Sequence, residues 1–257
     1  MVTKGDVEYL LRHLNQYLTR PVTANDIVSG FAGARPLVGS EDGGDTKKLA
    51  RDDVIEEDPA SGLISIMGGK WTTHRAMAED TIHRVQQALG LPHAISQTRN
   101  YVLFGGKGFT DDYWDKLCRQ YRLPENTARH LTSKFGTAAE KVLALASENA
   151  ALLGPILEGR PAIKAEAVYA VRYEMAATIE DSLARRIGIQ LYSWRDAIEA
   201  APVVGSLMAE ELSWTSSYTS AAITRYVEKI NHLLDAAGLS RKRSPASMTP
   251  ESAGAQR

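Results

Sequence analysis

Ser61–Arg75 reads SGLISIMGGKWTTHR, and this stretch decides the fold expected for the first part of the chain. The apolar residues before Gly68-Gly69 predict a buried strand, and the residues that follow predict a helix. The two glycines allow close approach of a ligand, because they carry no Cβ. The first amides of the helix and the Lys70 ammonium then favour an anionic or carbonyl-rich ligand, to which Thr72 can also donate.

The same turn does not match the common phosphate-binding motifs. A P-loop requires G-x-x-x-x-G-K-[ST], but Ile64 occupies the position of its first glycine and Trp71 follows Lys70. The sequence also has no G-x-G-x-x-G, so it lacks a dinucleotide fingerprint of its own. An ordinary tight connection between a strand and a helix therefore remains an equal alternative for this turn.

Two arginines upstream are candidates for binding an anion. The segment Val28–Arg35 predicts a strand weakened by glycines, and Pro36 holds Arg35 in an extended conformation. A guanidinium can clamp a phosphate or carboxylate with two parallel hydrogen bonds. Arg51 is a similar but weaker candidate, and for both residues a surface salt bridge is the commoner alternative.

Bulk composition excludes several classes of protein. The chain has 257 residues, of which 44% are hydrophobic and 24% charged, which suffices for one large or two smaller cores. A net charge of −1 gives no general attraction to nucleic acid. A single cysteine, Cys118, excludes an internal disulfide and any multi-cysteine metal site, and we expect no metal. No apolar run reaches the roughly 20 residues of a spanning helix, and the first residues do not resemble a secretory signal.

The first 92 residues predict a mixture of helices and strands. Asp6 is the expected N-cap of a helix over Val7–Leu18. Strands are expected at Arg51–Glu57 and Gly62–Met67, followed by a helix over Thr72–Leu89.

Residues 93–238 predict an all-α domain, so the fold class is α+β: a partial mixed α/β segment followed by a helical C-terminal domain. Only Asn100–Phe104 has the character of a strand in this part, and residues 239–257 predict a disordered tail. The six expected helices are Asp111–Arg122, Asn126–Phe135, Ala138–Ala150, Lys164–Ser182, Asp196–Leu212 and Ser216–Ala237.

The helical part carries a dense set of charges around residues 172–186. Glu174 and Asp181 lie seven residues apart and would share one face of an unbroken helix, where they could bind a metal or act as acid and base. Ion pairing between helices is the favoured interpretation, because no histidine lies nearby. Among the six histidines His74 follows Lys70 most closely, although a solvated surface position is favoured for it.

Several segments together resemble FAD-dependent glycerol-3-phosphate dehydrogenase. They are Val28–Leu37 (VSGFAGARPL), Arg51-Asp52, residues 61–80 (SGLISIMGGKWTTHRAMAED), residues 170–189 (AVRYEMAATIEDSLARRIGI) and residues 196–214 (DAIEAAPVVGSLMAEELSW). The order of these segments agrees with the family over about residues 1–235. The likeness places residues 1–92 in the C-terminal part of the FAD-dependent oxidoreductase domain and residues 93–238 in the helical C-terminal domain.

The resemblance implies an enzyme that oxidises sn-glycerol 3-phosphate to dihydroxyacetone phosphate and passes the electrons through FAD to membrane quinone. It implies that Arg35 and Arg51 meet the substrate phosphate. It further implies that Gly68, Gly69, Lys70 and Thr72 face the flavin, with the Lys70 side chain on the substrate side. No residue is assigned with certainty as catalytic.

The family's N-terminal half, which holds the ADP part of FAD, has no counterpart in this sequence. We therefore expect the chain alone to bind FAD weakly or not at all, and we expect the missing half to be a partner in trans. The expected location is cytoplasmic; peripheral attachment to the inner face of the cytoplasmic membrane and a homodimer are left open. The competing hypothesis is a non-catalytic helical interaction or regulatory domain. A nucleic-acid partner is not expected.

Overall fold

The computed structural model describes residues 1–34 and 52–242, and these residues form two compact units. The helical unit consists of Met1–Ala32 and Leu103–Arg257, and the hairpin unit consists of Gly33–Val102. Each unit is described by itself below. The predicted α+β class with a helical C-terminal region is confirmed.

The regular elements follow in chain order. The α-helices are α1 (Lys4–Leu14), α2 (His74–Ala88), α3 (Tyr113–Tyr121), α4 (Glu125–Phe135), α5 (Ala139–Ala144), α6 (Lys164–Glu174), α7 (Ile189–Tyr192), α8 (Trp194–Leu212) and α9 (Ser216–Ala236). The strands β1 (Asp53–Glu57) and β2 (Ile64–Gly68) form an antiparallel pair. A π-helical stretch at Asp181–Arg186 and several short 3₁₀ turns complete the described residues.

The helical unit has two clusters of buried side chains. The first lies around α8 and α9 and includes Trp194, Met208 and Ile230, which are at most 2% exposed. The second lies around α3–α6 and includes Leu117 and Leu131, both fully buried. Helix α8 packs against both α6 and α9, and it continues through Pro202.

The first helix begins and ends earlier than predicted. It spans Lys4–Leu14, and Thr3 rather than Asp6 is its N-cap. The Asp6 carboxylate accepts hydrogen bonds from the Thr3 amide at 2.9 Å and hydroxyl at 2.7 Å, which makes a capping box. The helix stops at Asn15, because the side chain of this residue exchanges two hydrogen bonds with the backbone of Val22. Residues 1–32 belong to the helical unit, and the predicted domain boundary after residue 92 stays a prediction.

Two predicted strands are wrong. The described part of Val28–Arg35 forms no strand. Instead the Val28 carbonyl accepts from the Trp194 amide at 3.0 Å, and the Ser29 hydroxyl donates to the Gln190 carbonyl at 2.8 Å. In Asn100–Phe104 the first residue ends a 3₁₀ turn and the others form no strand. A strand requires a neighbouring strand, and the described residues offer none to either segment.

The predicted helix Lys164–Ser182 is interrupted. Met175 adopts a left-handed conformation with φ of 57°, so α6 ends at Glu174. The Asp181 carboxylate instead accepts from the amide and hydroxyl of Thr178 at the start of the next helical segment. Glu174 and Asp181 therefore do not share a helix face, which corrects the pairing considered from their spacing.

The tail predicted to be disordered starts at Leu239, yet the structure describes residues up to Lys242. Leu239 is 6% exposed and belongs to the first buried cluster. The carbonyl of Ser240 accepts from the Arg195 guanidinium, and Arg241 pairs with Asp235. The chain therefore remains packed for several residues after α9.

Candidate functional site

The hairpin of β1 and β2 positions the turn that the sequence singled out. Asp53 is paired with Gly68 at one end of the hairpin, and Glu57 with Ile64 at the other. The connecting loop is fixed by the Asp58 carboxylate, which accepts from the amides of Ala60 at 2.9 Å and Ser61 at 2.7 Å. Hydrogen bonds from Ser61 also hold the pKa of Asp58 below its usual value. The end of β2 is thereby held beside the start of β1.

The two glycines are required by the turn itself. Gly68 and Gly69 have φ of 71° and 87°, in the left-handed region that favours glycine. A Cβ on Gly69 would lie 2.3 Å from Cε of Met77 in α2. The backbone geometry therefore accounts for Gly69 without a ligand, which is the alternative that the sequence left open.

Lys70 holds a weak surface ion pair. Its Nζ lies 3.0 Å from Oδ1 of Asp52, and the two side chains are 45% and 79% exposed. Exposed ion pairs contribute about 0–1 kcal/mol, because water and salt screen them. An anionic ligand could therefore compete with Asp52 for the ammonium at little cost.

The residues after Lys70 form a 3₁₀ turn that leads into α2. The Lys70 carbonyl accepts from both the amide and the hydroxyl of Thr73 at 3.1 Å. His74 is exposed; its Nδ1 lies 2.8 Å from the Trp71 carbonyl and its ring stacks on the Trp71 ring. The first amides of such a turn have no partner within the helix, and they lie next to the lysine. The local field therefore favours negative charge.

Some predicted site residues are brought together, and others are not described. Gly68, Gly69, Lys70 and Thr72 follow one another in one turn, where Lys70 and Thr72 are exposed. Arg35 and Arg51 lie outside the described residues, so their part in a phosphate site stays a prediction.

The sequence reasoning gave no role to Asp52, the partner of Lys70. The signal was present in the predicted hairpin, since pairing Asp53 with Gly68 places the residue before β1 next to the residues after β2. A register argument would have found it.

None of the described residues from 52 to 102 is buried. Large apolar side chains of the hairpin unit are exposed, among them Leu63, Trp71 and Ile82 at 64%, 87% and 56%. A hairpin and one helix without a buried core are marginally stable in water. The candidate site therefore lies on a unit whose described part is open to solvent.

The dense charge set of the helical unit is an ion-pair network, as favoured from the sequence. Arg172 binds both carboxylate oxygens of Glu211 at 2.6 and 2.8 Å and also Glu148 at 2.8 Å. Glu180 pairs with Arg185 and Lys229. Within residues 1–34 and 52–242, no group of three or more His, Cys, Asp and Glu side chains is placed to hold a metal ion.

In the described ranges, no helix combines the length and the apolar character that crossing a bilayer demands.

Comparison with protein families gives a match in the helical part of the chain. Residues 96–219 match the family described as the C-terminal domain of alpha-glycerophosphate oxidase. The matched region includes α3 to α8 and the start of α9.

Curated relatives extend the similarity to most of the chain. The chain is 34% identical over 230 residues to glycerol-3-phosphate dehydrogenase 2 of Mycobacterium bovis, which covers 89% of this chain and 39% of that protein. It is 35% identical over 221 residues to the mitochondrial glycerol-3-phosphate dehydrogenase of Bos taurus, covering 84% of this chain and 30% of that protein. The human mitochondrial protein is 34% identical over 218 residues, covering 82% and 30%.

The chain spans about two fifths, or less, of the length of these relatives. The match to a C-terminal domain and the identity over most of the chain agree with the resemblance carried by residues 28–214. The chain thus belongs to the glycerol-3-phosphate dehydrogenase family, in which it corresponds to the C-terminal portion.

Proposed function

We propose that this chain is the C-terminal portion of a flavin-dependent enzyme that oxidises sn-glycerol 3-phosphate to dihydroxyacetone phosphate, with electrons passing through FAD to quinone. The observation that carries the proposal is the exposed turn at Gly68–Thr72, in a chain related to glycerol-3-phosphate dehydrogenases over 89% of its length. A membrane-borne quinone as acceptor would bring the protein to the inner face of the cytoplasmic membrane. We also propose that the protein forms a homodimer.

The residues of the turn fit one edge of a flavin ring. The Lys70 ammonium is half exposed and only weakly paired, and the neighbouring amides at the start of the 3₁₀ turn have no partner within it. Such donors stabilise negative charge on an electron-rich ring. When bound, FAD supplies the hydride-accepting ring. The residues that would hold it here are Gly68, Gly69, Lys70 and Thr72.

Substrate binding is proposed for Lys70 together with Arg35 and Arg51. Two guanidinium groups and an ammonium match the charge of a phosphate dianion, and arginine can bind it with paired hydrogen bonds. Lys70 would bind at the boundary between flavin and substrate, which is consistent with its position directly after the two glycines.

We propose that the chain acts only together with the preceding half of the enzyme. The sequence has no dinucleotide fingerprint, and the described part of the hairpin unit buries none of its residues. A flavin-binding half that covers the exposed apolar side chains would supply both the missing fingerprint and a core.

Co-expression with the N-terminal half of a relative tests this function. The chain alone should purify without stoichiometric flavin absorbance and without turnover. Co-expression should yield a complex that contains FAD and oxidises glycerol 3-phosphate, measured by reduction of a quinone analogue. In that complex Lys70→Ala and Arg35→Ala should each lower kcat/KM about 10- to 100-fold, because each removes a charged hydrogen bond of roughly 1.5–3 kcal/mol.

A second Gly-Gly-Lys segment provides a matched control. Lys107 follows Gly105-Gly106 in the helical unit and is also exposed, so Lys107→Ala should leave kcat/KM unchanged. Stoichiometric FAD in the chain purified alone would contradict the requirement for the missing half. Equal activity of Lys70→Ala and Lys107→Ala would contradict the role of the turn.

The second candidate function is a non-catalytic interaction or regulatory domain. The observation in its favour is that both buried clusters lie in the helical unit. It predicts a partner that binds the chain with equal affinity whether or not Lys70 or Arg35 is replaced. If replacement of Lys70 or Arg35 abolishes activity in the co-expressed complex, the enzymatic function is supported and the non-catalytic function is contradicted.

A further inference from the structure

The helical unit contains a cavity of about 290 Å³, and no residue of the candidate flavin turn is among the residues that line it. This volume corresponds to roughly ten water molecules, which is enough for a small organic ligand. The side chains that matter for the argument are those of His130, Arg160, Ile187, Ile189, Tyr192 and Asp196. They come from α4, from the segment before α6 and from the region of α7 and α8.

Arg160 provides the cationic group of this cavity. One of its guanidinium nitrogens lies 2.7 Å from Oδ2 of Asp196, which is buried, whereas the Arg160 side chain is half exposed. A guanidinium has five N–H donors, and the remaining ones have no other side-chain partner among the described residues. Arg160 can therefore bind a second acceptor without releasing Asp196.

His130 provides a second polar group in the lining of the cavity, and its orientation is fixed. Its Nε2 lies 3.0 Å from both carboxylate oxygens of Glu166, a fully buried side chain that also accepts from the Lys134 ammonium at 2.8 Å. The contact orients the imidazole, and Nδ1 has no hydrogen-bond partner among the described residues. The cavity thus has a polar group held in place on each of two elements.

Most of the remaining lining is apolar, and the hydroxyl of its polar member, Ser193, already accepts from the Asp196 amide at 3.2 Å. Ile187 and Ile189 are 3% and 8% exposed, while the Tyr192 ring is largely exposed. Largely apolar cavities with a few converging polar groups are the usual form of small-molecule sites. A flat apolar group would fit against these side chains.

We propose that this cavity binds a small organic carboxylate with a flat apolar body. Arg160 binds the carboxylate with two parallel hydrogen bonds, and Ile187, Ile189 and Tyr192 contact the body. The Asp196 carboxylate beside Arg160 favours a singly charged carboxylate over a phosphate dianion, because like charges repel.

A smaller cavity of about 180 Å³ near Trp214 and Tyr226 is a weaker candidate. Its acidic group, Glu180, already accepts from Lys229 with one oxygen and from Arg185 with the other. The remaining charged donor of this lining, Arg225, is exposed and forms no ion pair among the described residues that would fix its orientation, whereas Asp196 fixes that of Arg160 in the larger cavity.

Titration of the full chain with benzoate tests the proposal, with benzamide as the neutral analogue. In ¹H–¹⁵N spectra we expect saturable shifts for the amides of Ile187, Ile189 and Ser193, with a dissociation constant in the millimolar range. Benzamide should bind at least tenfold more weakly. Absence of saturable shifts with benzoate, or equal binding of benzamide, would overturn the proposal.

Variants separate the site from non-specific binding. Arg160→Ala should weaken benzoate binding at least tenfold, and Ile189→Phe should abolish it by filling the cavity while Arg160 remains. Arg185→Ala is the matched control, since this arginine also pairs with acidic side chains but does not line the cavity. The spectra report whether each variant is folded. Unchanged binding in folded Arg160→Ala or Ile189→Phe would refute the assignment.

Discussion

Glu166 is the buried charge on which the packing of α4 against α6 depends. Its carboxylate accepts hydrogen bonds from the Ile163 amide at 3.0 Å, from His130 and from Lys134. Burial opposes the charged form, but the His130 hydrogen bond and the Lys134 charge outweigh it and hold the pKa of Glu166 below its usual value of 4.5. A buried carboxylate with several donors is costly to disturb.

We expect Glu166→Gln to lower the free energy of unfolding by about 3 kcal/mol at pH 7, because it removes the charge that balances Lys134. The wild-type advantage should be complete above pH 4.5 and should shrink as the pH falls through the lower pKa of the folded state. Urea unfolding at several pH values measures it. Glu158→Gln, at an exposed carboxylate, is the control. A pH-independent difference between wild type and Glu166→Gln would contradict the assignment of charge.

The sequence predicts the role of a residue when that role depends on residues close to it in the sequence. It does not predict the role of a residue whose partners are far away in the sequence. The exposed turn with Lys70 follows from two glycines and a change of hydrophobic period. Glu166 gave no signal, because its partners His130 and Lys134 are 36 and 32 residues away. Single-sequence periodicity contains no information on such long-range pairs.

At the scale of elements, the backbone of the turn at Gly105 contacts the backbone of the turn at Gly136 in the helical unit. The Gly105 carbonyl accepts from the amide of Thr137 at 2.9 Å and from its hydroxyl at 3.2 Å. A Cβ on Gly105 would lie 2.1 Å from the Phe135 carbonyl oxygen, and a Cβ on Gly136 would lie 2.2 Å from that of Gly105. The loop before α3 is thereby held against the end of α4. The glycines at 105 and 136 therefore serve the packing of this loop against α4.

Gly105→Ala and Gly136→Ala should each lower stability by about 2 kcal/mol more than Gly108→Ala. Gly108 also has a positive φ, of 73°, but nothing lies within 4 Å of an added Cβ, so this control isolates the cost of the backbone contact. Thermal unfolding followed by tryptophan fluorescence is a sufficient measurement. Similar stability of all three variants would show that the contact between the two turns can relax.

The ends of a helix could be predicted where the apolar spacing continues along the sequence. They could not be predicted where the backbone conformation of a single residue ends the helix. Helix α8 was predicted through Pro202 and is continuous, since the apolar spacing persists on both sides. Helix α6 ends because Met175 adopts a left-handed conformation, which is rare for a residue other than glycine. No property of Met175 in the sequence indicates this.

At the scale of the whole molecule, the hairpin unit was predicted well in outline. β1, β2 and α2 lie where the hydrophobic pattern placed them. The strands expected at Val28–Arg35 and Asn100–Phe104 failed, because pairing is decided by which segments meet in space. The phosphate-binding role of Arg35 and Arg51 also depends on such spatial proximity, and it stays a prediction.

The two units should differ in local stability. Helix α8 packs between α6 and α9, so its amide hydrogen bonds open only when the buried core unfolds. The amides of β1, β2 and α2 belong to a unit whose described residues are all at least partly exposed. In the chain alone, hydrogen exchange monitored by mass spectrometry should therefore be at least 100-fold faster in Asp53–Ala88 than in α8.

Addition of the N-terminal half of the enzyme should slow exchange in Asp53–Ala88 and leave α8 unchanged, because the expected partner surface is the exposed apolar side of the hairpin unit. The α8 amides serve as the internal control in both samples. Equal protection of the two regions in the chain alone would mean that the hairpin unit is stable without a partner. The absence of a dinucleotide fingerprint from the sequence would then be the one remaining argument that the chain needs the N-terminal half of the enzyme.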